Sequence, residues 1–122
     1  MKIEYAERLG SVRGLRHPLV AEVMKQVGSK GTKAATIITA GFSEGSEEGK
    51  EREKAVSEIA DKYCIRFVGP NSLGVISPHS NLNASFANGT PSKGHIAFLS
   101  QSGALCTAVL DWAHKEKIGF SY

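Results

Sequence analysis

Apolar residues recur at helical spacing in three stretches of the chain, and each stretch predicts an amphipathic helix. The first begins at Pro18, which suits a first helical turn, and ends at Gly28. The second begins after Ser46, a suitable N-cap that two glutamates follow, and the third begins after Gly103. The apolar positions of the three helices are Val20, Val23, Met24 and Val27; Val56, Ile59, Ala60 and Tyr63; and Leu105, Ala108, Val109, Trp112 and Ala113.

Short, continuous apolar runs alternate with these helices. Ala34–Ala40 is a continuous run with β-branched residues, which is typical of a strand buried on both faces of a parallel sheet. Ile65–Val68 and Ile96–Leu99 supply two further predicted strands. A strand, a helix and a strand within about 35 residues form a βαβ unit with a right-handed crossover. The pattern therefore predicts an α/β fold built from parallel-sheet βαβ units. Residues 77–93 are rich in Ser, Asn, Pro and Gly and are interpreted as a loop or linker.

Composition narrows the possible functions. The chain has 122 residues and a net charge of +3, with basic residues interleaved with acidic ones, which argues against nucleic-acid binding. No apolar run is long enough to span a membrane, and "MKIEYAERLG" lacks the apolar region of a secretory signal. Cys64 and Cys106 have no metal-ligand spacing, so we expect free, buried thiols in the reducing cytoplasm. The histidines match no metal site either.

The segment Ser100-Gln101-Ser102-Gly103 joins the last predicted strand to the last predicted helix. The first N–H groups of a helix have no internal partners, and the helix dipole adds positive charge there. Gly103 leaves room for a close approach, and Ser100 and Ser102 carry hydroxyl donors, so the segment could hold a phosphate. The alternative is an ordinary N-cap and turn.

Two strand ends are further candidates, because ligands of open parallel sheets bind beyond the carboxyl ends of the strands. These ends are 39–41 and 69–71, and Asn71 and Ser72 could meet a ligand there. The alternative for "GPNSLG" is a plain turn, in which Asn71 caps its own backbone.

The motifs "KAATIITAGFSE", "IRFVGPNSLGVI", "NLNASFA" and "GHIAFLSQSGAL…VLDWA…IGFS", taken in this order, resemble the NDP-forming acyl-CoA synthetases. This family includes the ADP-forming acetate–CoA ligases and relatives of the succinyl-CoA synthetase α subunit. The resemblance implies an acid–thiol ligase that interconverts acyl-CoA, ADP and phosphate with acid, CoA and ATP through a phosphorylated histidine. It also implies that a separate ATP-grasp domain or β subunit binds ATP or ADP and Mg.

The resemblance assigns roles to individual residues. It implies that Ser102, Gly103 and Ala104 hold the phosphate or the phosphohistidine, which agrees with the cradle inferred above around Ser100. It also implies a contact of Thr107 with the acyl substrate. The residues implied to bind CoA are Ile38, Thr39 and Ala40, with Asn71, Ser72 and Leu73 near the thiol end.

The same resemblance implies a domain organisation. Residues 1–76 would be the C-terminal part of a Rossmann-like CoA-binding domain, 77–93 a linker, and 94–122 the start of a flavodoxin-like ligase domain. The family's glycine-rich CoA loop, the strand before the helix at Pro18 and the phosphohistidine segment are expected to be absent. The chain would then be part of a synthetase that is inactive alone. The alternatives are a non-catalytic CoA- or anion-binding module and an inactive gene fragment.

Overall fold

A computed structural model describes residues 5–6, 9–12 and 17–122, and side chains from Pro18 onward. The chain divides into two compact units, Met1–Ser72 and Leu73–Tyr122. The first unit contains a four-stranded sheet in the order β1-β2-β3-β4. Its elements are β1 (Tyr5–Ala6), β2 (Leu9–Val12), α1 (His17–Ser29), β3 (Ala34–Ile37), α2 (Glu47–Tyr63) and β4 (Arg66–Val68).

Strands β2, β3 and β4 run parallel, and helices connect them in succession, so the predicted βαβ architecture is confirmed. The expectation that no strand precedes the helix at Pro18 is wrong. Leu9–Val12 forms β2, which pairs with β3 in the register Leu9↔Ala34 to Val12↔Ile37. Its sequence, LGSV, combines a glycine and a serine with only two large apolar residues. Such a short and mixed pattern does not identify a strand before its neighbour is known.

The core of the first unit lies between α1, α2 and β3. The predicted apolar positions of α1 and α2 are buried, except that Tyr63 is partly buried. Ser46 is the N-cap of α2, as predicted, and its hydroxyl accepts a hydrogen bond from the Gly49 N–H at 3.1 Å. The residues of this core are Val20, Val23, Met24, Val27, Ala35, Ile37, Phe42, Val56, Ile59, Ala60 and Ile65.

The second unit begins with an antiparallel hairpin of β5 (Gly74–Ser77) and β6 (Leu82–Ser85), joined by a 3-10 turn at Pro78–Ser80. Residues 77–85 belong to the hairpin, so the interpretation of this part of 77–93 as a loop is wrong. Ser77, Ala84 and Ser85 are buried. Small polar residues such as Ser77 and Ser85 can fill a buried strand position when the backbone packs closely. Their polarity therefore does not indicate a loop.

The remaining elements are β7 (Lys93–Ile96) and α3 (Gly103–Glu116). β7 begins and ends three residues earlier than the predicted strand Ile96–Leu99. Its neighbour is the segment around Phe120, which forms parallel bridges with Lys93 and Ile96. Leu99 lies outside the strand and is 86% exposed.

Helix α3 packs with a face that is offset from the predicted one. Cys106 and Leu110 line a pocket of about 80 Å³ together with Phe98 and Phe120, and Ala113 is buried. Two residues of the predicted face, Leu105 and Trp112, are about half exposed instead. The apolar residues of α3 cover more than one face, and spacing alone does not choose between the faces.

The two cysteines are free, as predicted, but Cys64 is exposed and Cys106 is partly buried. Cys64 ends α2 as its C-cap, in the left-handed conformation that places a side chain outside the helix. In the part of the chain that the structure describes, no helix is both long and apolar enough to cross a membrane.

Candidate functional site

The carboxyl ends of β3 and β4 are joined by two hydrogen bonds. The Asn71 N–H donates to the Thr39 carbonyl at 2.9 Å, and the Ser72 hydroxyl donates to the Ile37 carbonyl at 3.0 Å. The structure therefore brings together the two strand ends that the sequence singled out. Residues 38–40, which we call the strand-end segment, follow β3 at this edge. Ile38 and Thr39 are partly buried and Ala40 is exposed.

The close approach of the two strand ends depends on Gly69. Its φ of +102° is unfavourable for other residues, and a Cβ at this position would collide with the Ile37 carbonyl. Gly69 thus lets the chain after β4 turn against the end of β3, and Asn71 follows with a φ of +53°. The "GPNS" sequence serves as a turn, and the same turn also presents Asn71 at the sheet edge.

The strand-end segment leads into a turn, Gly41–Glu44, that carboxylates hold. The Glu44 carboxylate accepts hydrogen bonds from the Gly41 N–H at 2.6 Å and the Phe42 N–H at 3.1 Å. The Ser43 N–H donates to the Glu53 carboxylate at 3.2 Å, and the Arg52 guanidinium donates to the Gly41 carbonyl at 3.0 Å. The bond from the Gly41 N–H is the main cause that lowers the pKa of Glu44.

Glu44 and Arg52 were not predicted from the sequence to be functional residues. "FSEGSEEGKEREK" has many charges, and a solvated helix face explains most of them. The available signal was a glutamate three residues after the glycine that ends an apolar strand, a position from which a carboxylate can reach back to free backbone N–H groups.

In the second unit, Ser100–Ala104, which we call the helix-start turn, begins α3. The Ser102 hydroxyl caps the helix by accepting from the Leu105 N–H at 3.3 Å. The Ser100 hydroxyl accepts from the Ser102 N–H at 3.0 Å. Ser102 is therefore the N-cap, as the plain alternative expected, and Ser100 holds the turn before it. Each hydroxyl keeps its own proton to donate.

The first intrahelical hydrogen bond of α3 runs from the Cys106 N–H to the Ser102 carbonyl at 3.0 Å. The N–H groups of Gly103 and Ala104 come before Cys106, so they have no acceptor within the helix and point out of its start. Both residues are exposed. Among the described residues, apart from its chain neighbours and the nearby backbone of α3, a Cβ on Gly103 would meet no atom within 4 Å. The helix-start turn thus offers two backbone donors, a helix dipole and open space to an incoming anion.

The other two candidates take different positions. Thr107 is exposed, but its hydroxyl donates back to the Gly103 carbonyl at 2.7 Å, one turn earlier in the helix. Leu73 is partly buried, opens the second unit, and its carbonyl accepts from the Phe86 N–H at 3.2 Å. Within residues 17–122, no cluster of three or more His, Cys, Asp or Glu side chains is arranged to hold a metal ion.

Comparison with known proteins finds similar sequences over most of this chain. The family model described as "Succinyl-CoA ligase like flavodoxin domain" matches residues 93–122. The chain is 49% identical over 102 residues to acetate–CoA ligase [ADP-forming] II subunit alpha of Pyrococcus furiosus, covering 84% of this chain and 22% of that relative. It is 50% identical over 103 residues to acetate–CoA ligase [ADP-forming] of Methanocaldococcus jannaschii, covering 84% of this chain and 14% of that relative.

A solved structure agrees with these sequence matches. Dinucleotide-forming acetyl-coenzyme A synthetase 1 of Ca. Korarchaeum cryptofilum, in complex with phosphate and ADP, has a TM-score of 0.85 and 33% identity. The match covers 93% of this chain and 24% of that one, so the chain spans about a quarter or less of these relatives. Over the aligned residues the chain is therefore similar to part of the ADP-forming acetate–CoA ligases and of the dinucleotide-forming acetyl-coenzyme A synthetases.

Proposed function

We propose that this chain supplies CoA and phosphate contacts to an ADP-forming acid–CoA ligase. The whole enzyme would interconvert acyl-CoA, ADP and phosphate with a small carboxylic acid, CoA and ATP. The chain spans only part of its relatives, so the phosphohistidine segment would lie outside these residues. ATP, ADP and Mg would bind to a separate ATP-grasp domain or β subunit. The free thiols of Cys64 and Cys106 fit a cytoplasmic enzyme.

The helix-start turn carries this proposal. It lies within residues 93–122, which match the ligase family, and it is open where a phosphate would approach. The N–H groups of Gly103 and Ala104 would donate to phosphate oxygens, and the hydroxyls of Ser100 and Ser102 could donate from the rim. Thr107 would lie near the acyl substrate, one turn along α3.

Phosphate held in this way is the nucleophile of the proposed first step. One phosphate oxygen bonds to the acyl carbon, the carbon–sulfur bond breaks, and the electron pair leaves with the CoA sulfur. The resulting acyl phosphate passes its phosphoryl group to the histidine, which releases the carboxylate, and then the histidine passes the group to ADP. The backbone donors of the helix-start turn would orient the phosphate and stabilise its charge in the first two steps.

The strand-end segment would provide the CoA contacts. Ile38, Thr39 and Ala40 lie at the carboxyl end of a parallel strand, where ligands of such sheets bind, and Asn71 and Ser72 are hydrogen-bonded to the same edge. Leu73 follows directly and would contact the thiol end of CoA.

A chimeric enzyme tests the proposal. Residues 17–122 of this chain would replace the matching segment of the Methanocaldococcus jannaschii acetate–CoA ligase, and ATP formation from acetyl-CoA, ADP and phosphate would be measured. We expect turnover within about tenfold of the parent, because segments of this identity preserve backbone positions. Gly103→Val in the chimera should remove most turnover by blocking the phosphate. A folded but inactive chimera that still binds CoA would instead support a non-catalytic CoA-binding module.

A further inference from the structure

The Gly41–Glu44 turn is held more tightly than its exposed position requires. Three successive backbone N–H groups, those of Gly41, Phe42 and Ser43, donate to carboxylates of Glu44 and Glu53. Most exposed turns leave such groups to water, because a surface hydrogen bond contributes little net stability. Here each N–H has a charged acceptor on the protein.

Arg52 completes the arrangement from α2. Its guanidinium donates to the Gly41 carbonyl at 3.0 Å and to the Glu48 carboxylate at 3.2 Å, and its side chain is only 31% exposed. The peptide groups on both sides of the Gly41 α-carbon are therefore fixed, the N–H by Glu44 and the carbonyl by Arg52. Phe42, the next residue, is fully buried and anchors the turn in the core.

These contacts fix one end of the strand-end segment, and the turn that follows β4 fixes the other. Ile37 and Thr39 accept hydrogen bonds from Ser72 and Asn71, as described above. The peptide groups of residues 38–40 are thus fixed from both sides. Backbone groups can recognise a ligand only when they are held within a fraction of an ångström of the productive geometry.

We propose that Glu44 and Arg52 are positioning residues, which act on CoA binding by fixing the backbone of the strand-end segment at Gly41. This inference rests on the proposed CoA contact of residues 38–40 and adds two residues that do not touch CoA. Glu44 is the decisive residue. CoA carries negative phosphate groups, so removing a carboxylate reduces repulsion and, by charge alone, strengthens binding. Weaker binding after removal of Glu44 therefore reports lost geometry.

The experiment titrates the 122-residue chain with CoA and, separately, with inorganic phosphate, following backbone amide shifts by NMR. Glu44→Ala is expected to raise the Kd for CoA about tenfold, and Glu44→Gln about threefold, because glutamine keeps one acceptor oxygen. Phosphate-induced shifts at Ser102–Ala104 should stay unchanged in both. Glu58→Ala is the matched control, because it also removes one carboxylate. Glu58 lies on the exposed side of α2, with its carboxylate 4.0 Å from the Lys54 ammonium group.

Each outcome decides between the two proposals. If the unaltered chain shows no CoA-dependent shifts at residues 38–40, the proposed CoA contact is wrong and the inference falls with it. If the unaltered chain binds CoA and Glu44→Ala binds it equally well, only the inference is overturned. If Glu44→Ala weakens CoA and phosphate binding together and lowers the melting temperature, Glu44 has a general structural role and is not a positioning residue.

Discussion

The carbonyl oxygen of Phe42 occupies the space that a Cβ on Gly49 would fill. The first turn of α2 can therefore lie directly against the turn that follows β3, and Phe42 is fully buried beneath it. Gly49 is itself buried and donates its N–H to the N-cap Ser46. The contact ties the start of α2 to the turn that Glu44 and Arg52 hold.

We expect Gly49→Ala to destabilise the chain by about 2 kcal/mol or more, although alanine is about 1 kcal/mol better than glycine in an unconstrained helix. The added methyl group collides with backbone, which cannot move aside as a flexible side chain can. The measurement is urea unfolding followed by circular dichroism. Gly45→Ala is the control, because a Cβ there would lie 3.6 Å from the Phe42 oxygen, an ordinary contact. Equal stability of the two variants would contradict this packing.

Cys64 ends α2 in the left-handed conformation, with a φ of 54° and a ψ of 44°. Glycine adopts this conformation without the steric penalty of a Cβ. Cys64→Gly is therefore expected to raise the free energy of unfolding by about 0.5–1 kcal/mol. Cys64→Ala removes the same thiol but keeps the Cβ, so it should give no such gain. Thermal denaturation of both variants separates the backbone effect from the loss of sulfur.

Glu44 should make the stability of the chain depend on pH. Backbone hydrogen bonds, first that from the Gly41 N–H, lower the pKa of Glu44 from its ordinary value of 4.5. A carboxylate whose pKa is lowered by folding stabilises the folded state above that ordinary value, and this contribution is lost as the pH falls through the folded pKa. The stability difference between the unaltered chain and Glu44→Gln should thus be constant above pH 5 and shrink below pH 4.5. Urea unfolding at pH 7 and pH 3 measures it, and a difference independent of pH would contradict the assignment.

The substitution Gly103→Ala should preserve thermal stability and weaken phosphate binding. A Cβ there would meet no atom of the described residues beyond the adjoining part of α3, and alanine favours helices over glycine, so Gly103→Ala should not lower the melting temperature. The same methyl group narrows the approach to the helix-start turn, so phosphate should bind more weakly. Gly94→Ala is the contrasting variant, because a Cβ there would collide with the backbone of Gly119. Calorimetry together with a phosphate titration tests both effects, and a Gly103→Ala chain that melts earlier would refute the prediction.

The helices of this fold were predictable from the sequence because their start signals are local. Ser46 serves as an N-cap at the predicted position, and Ser102 caps α3 as the alternative interpretation of its turn expected. The apolar spacing of α1 and α2 marks the faces that pack in the core. The side of α3 that packs was not predictable. Its apolar residues surround much of the helix, so burial depends on which neighbour is present, and Trp112 is 54% exposed.

The strands were harder to predict because pairing partners, rather than composition, define them. Leu9–Val12 and the hairpin strands contain Gly, Ser and Asn, and they form strands because a neighbour lies in register. Leu99 shows the converse, an apolar residue that no strand includes. The candidate sites were predicted from the carboxyl end of β3 and from the start of α3. The role of Glu44 was not predictable, because it depends on backbone N–H groups that a sequence does not distinguish from others.

The open space around Gly103 predicts how readily this glycine is replaced as related sequences diverge. In the part of the chain that the structure describes, no contact outside the adjoining helix requires glycine at this position, and alanine would suit the helix better. Mutational drift in a copy maintained only for folding should therefore replace this glycine readily, whereas a copy selected for phosphate turnover should retain it. The residue at position 103 in diverging lineages would thus record whether selection acts on the proposed phosphate contact.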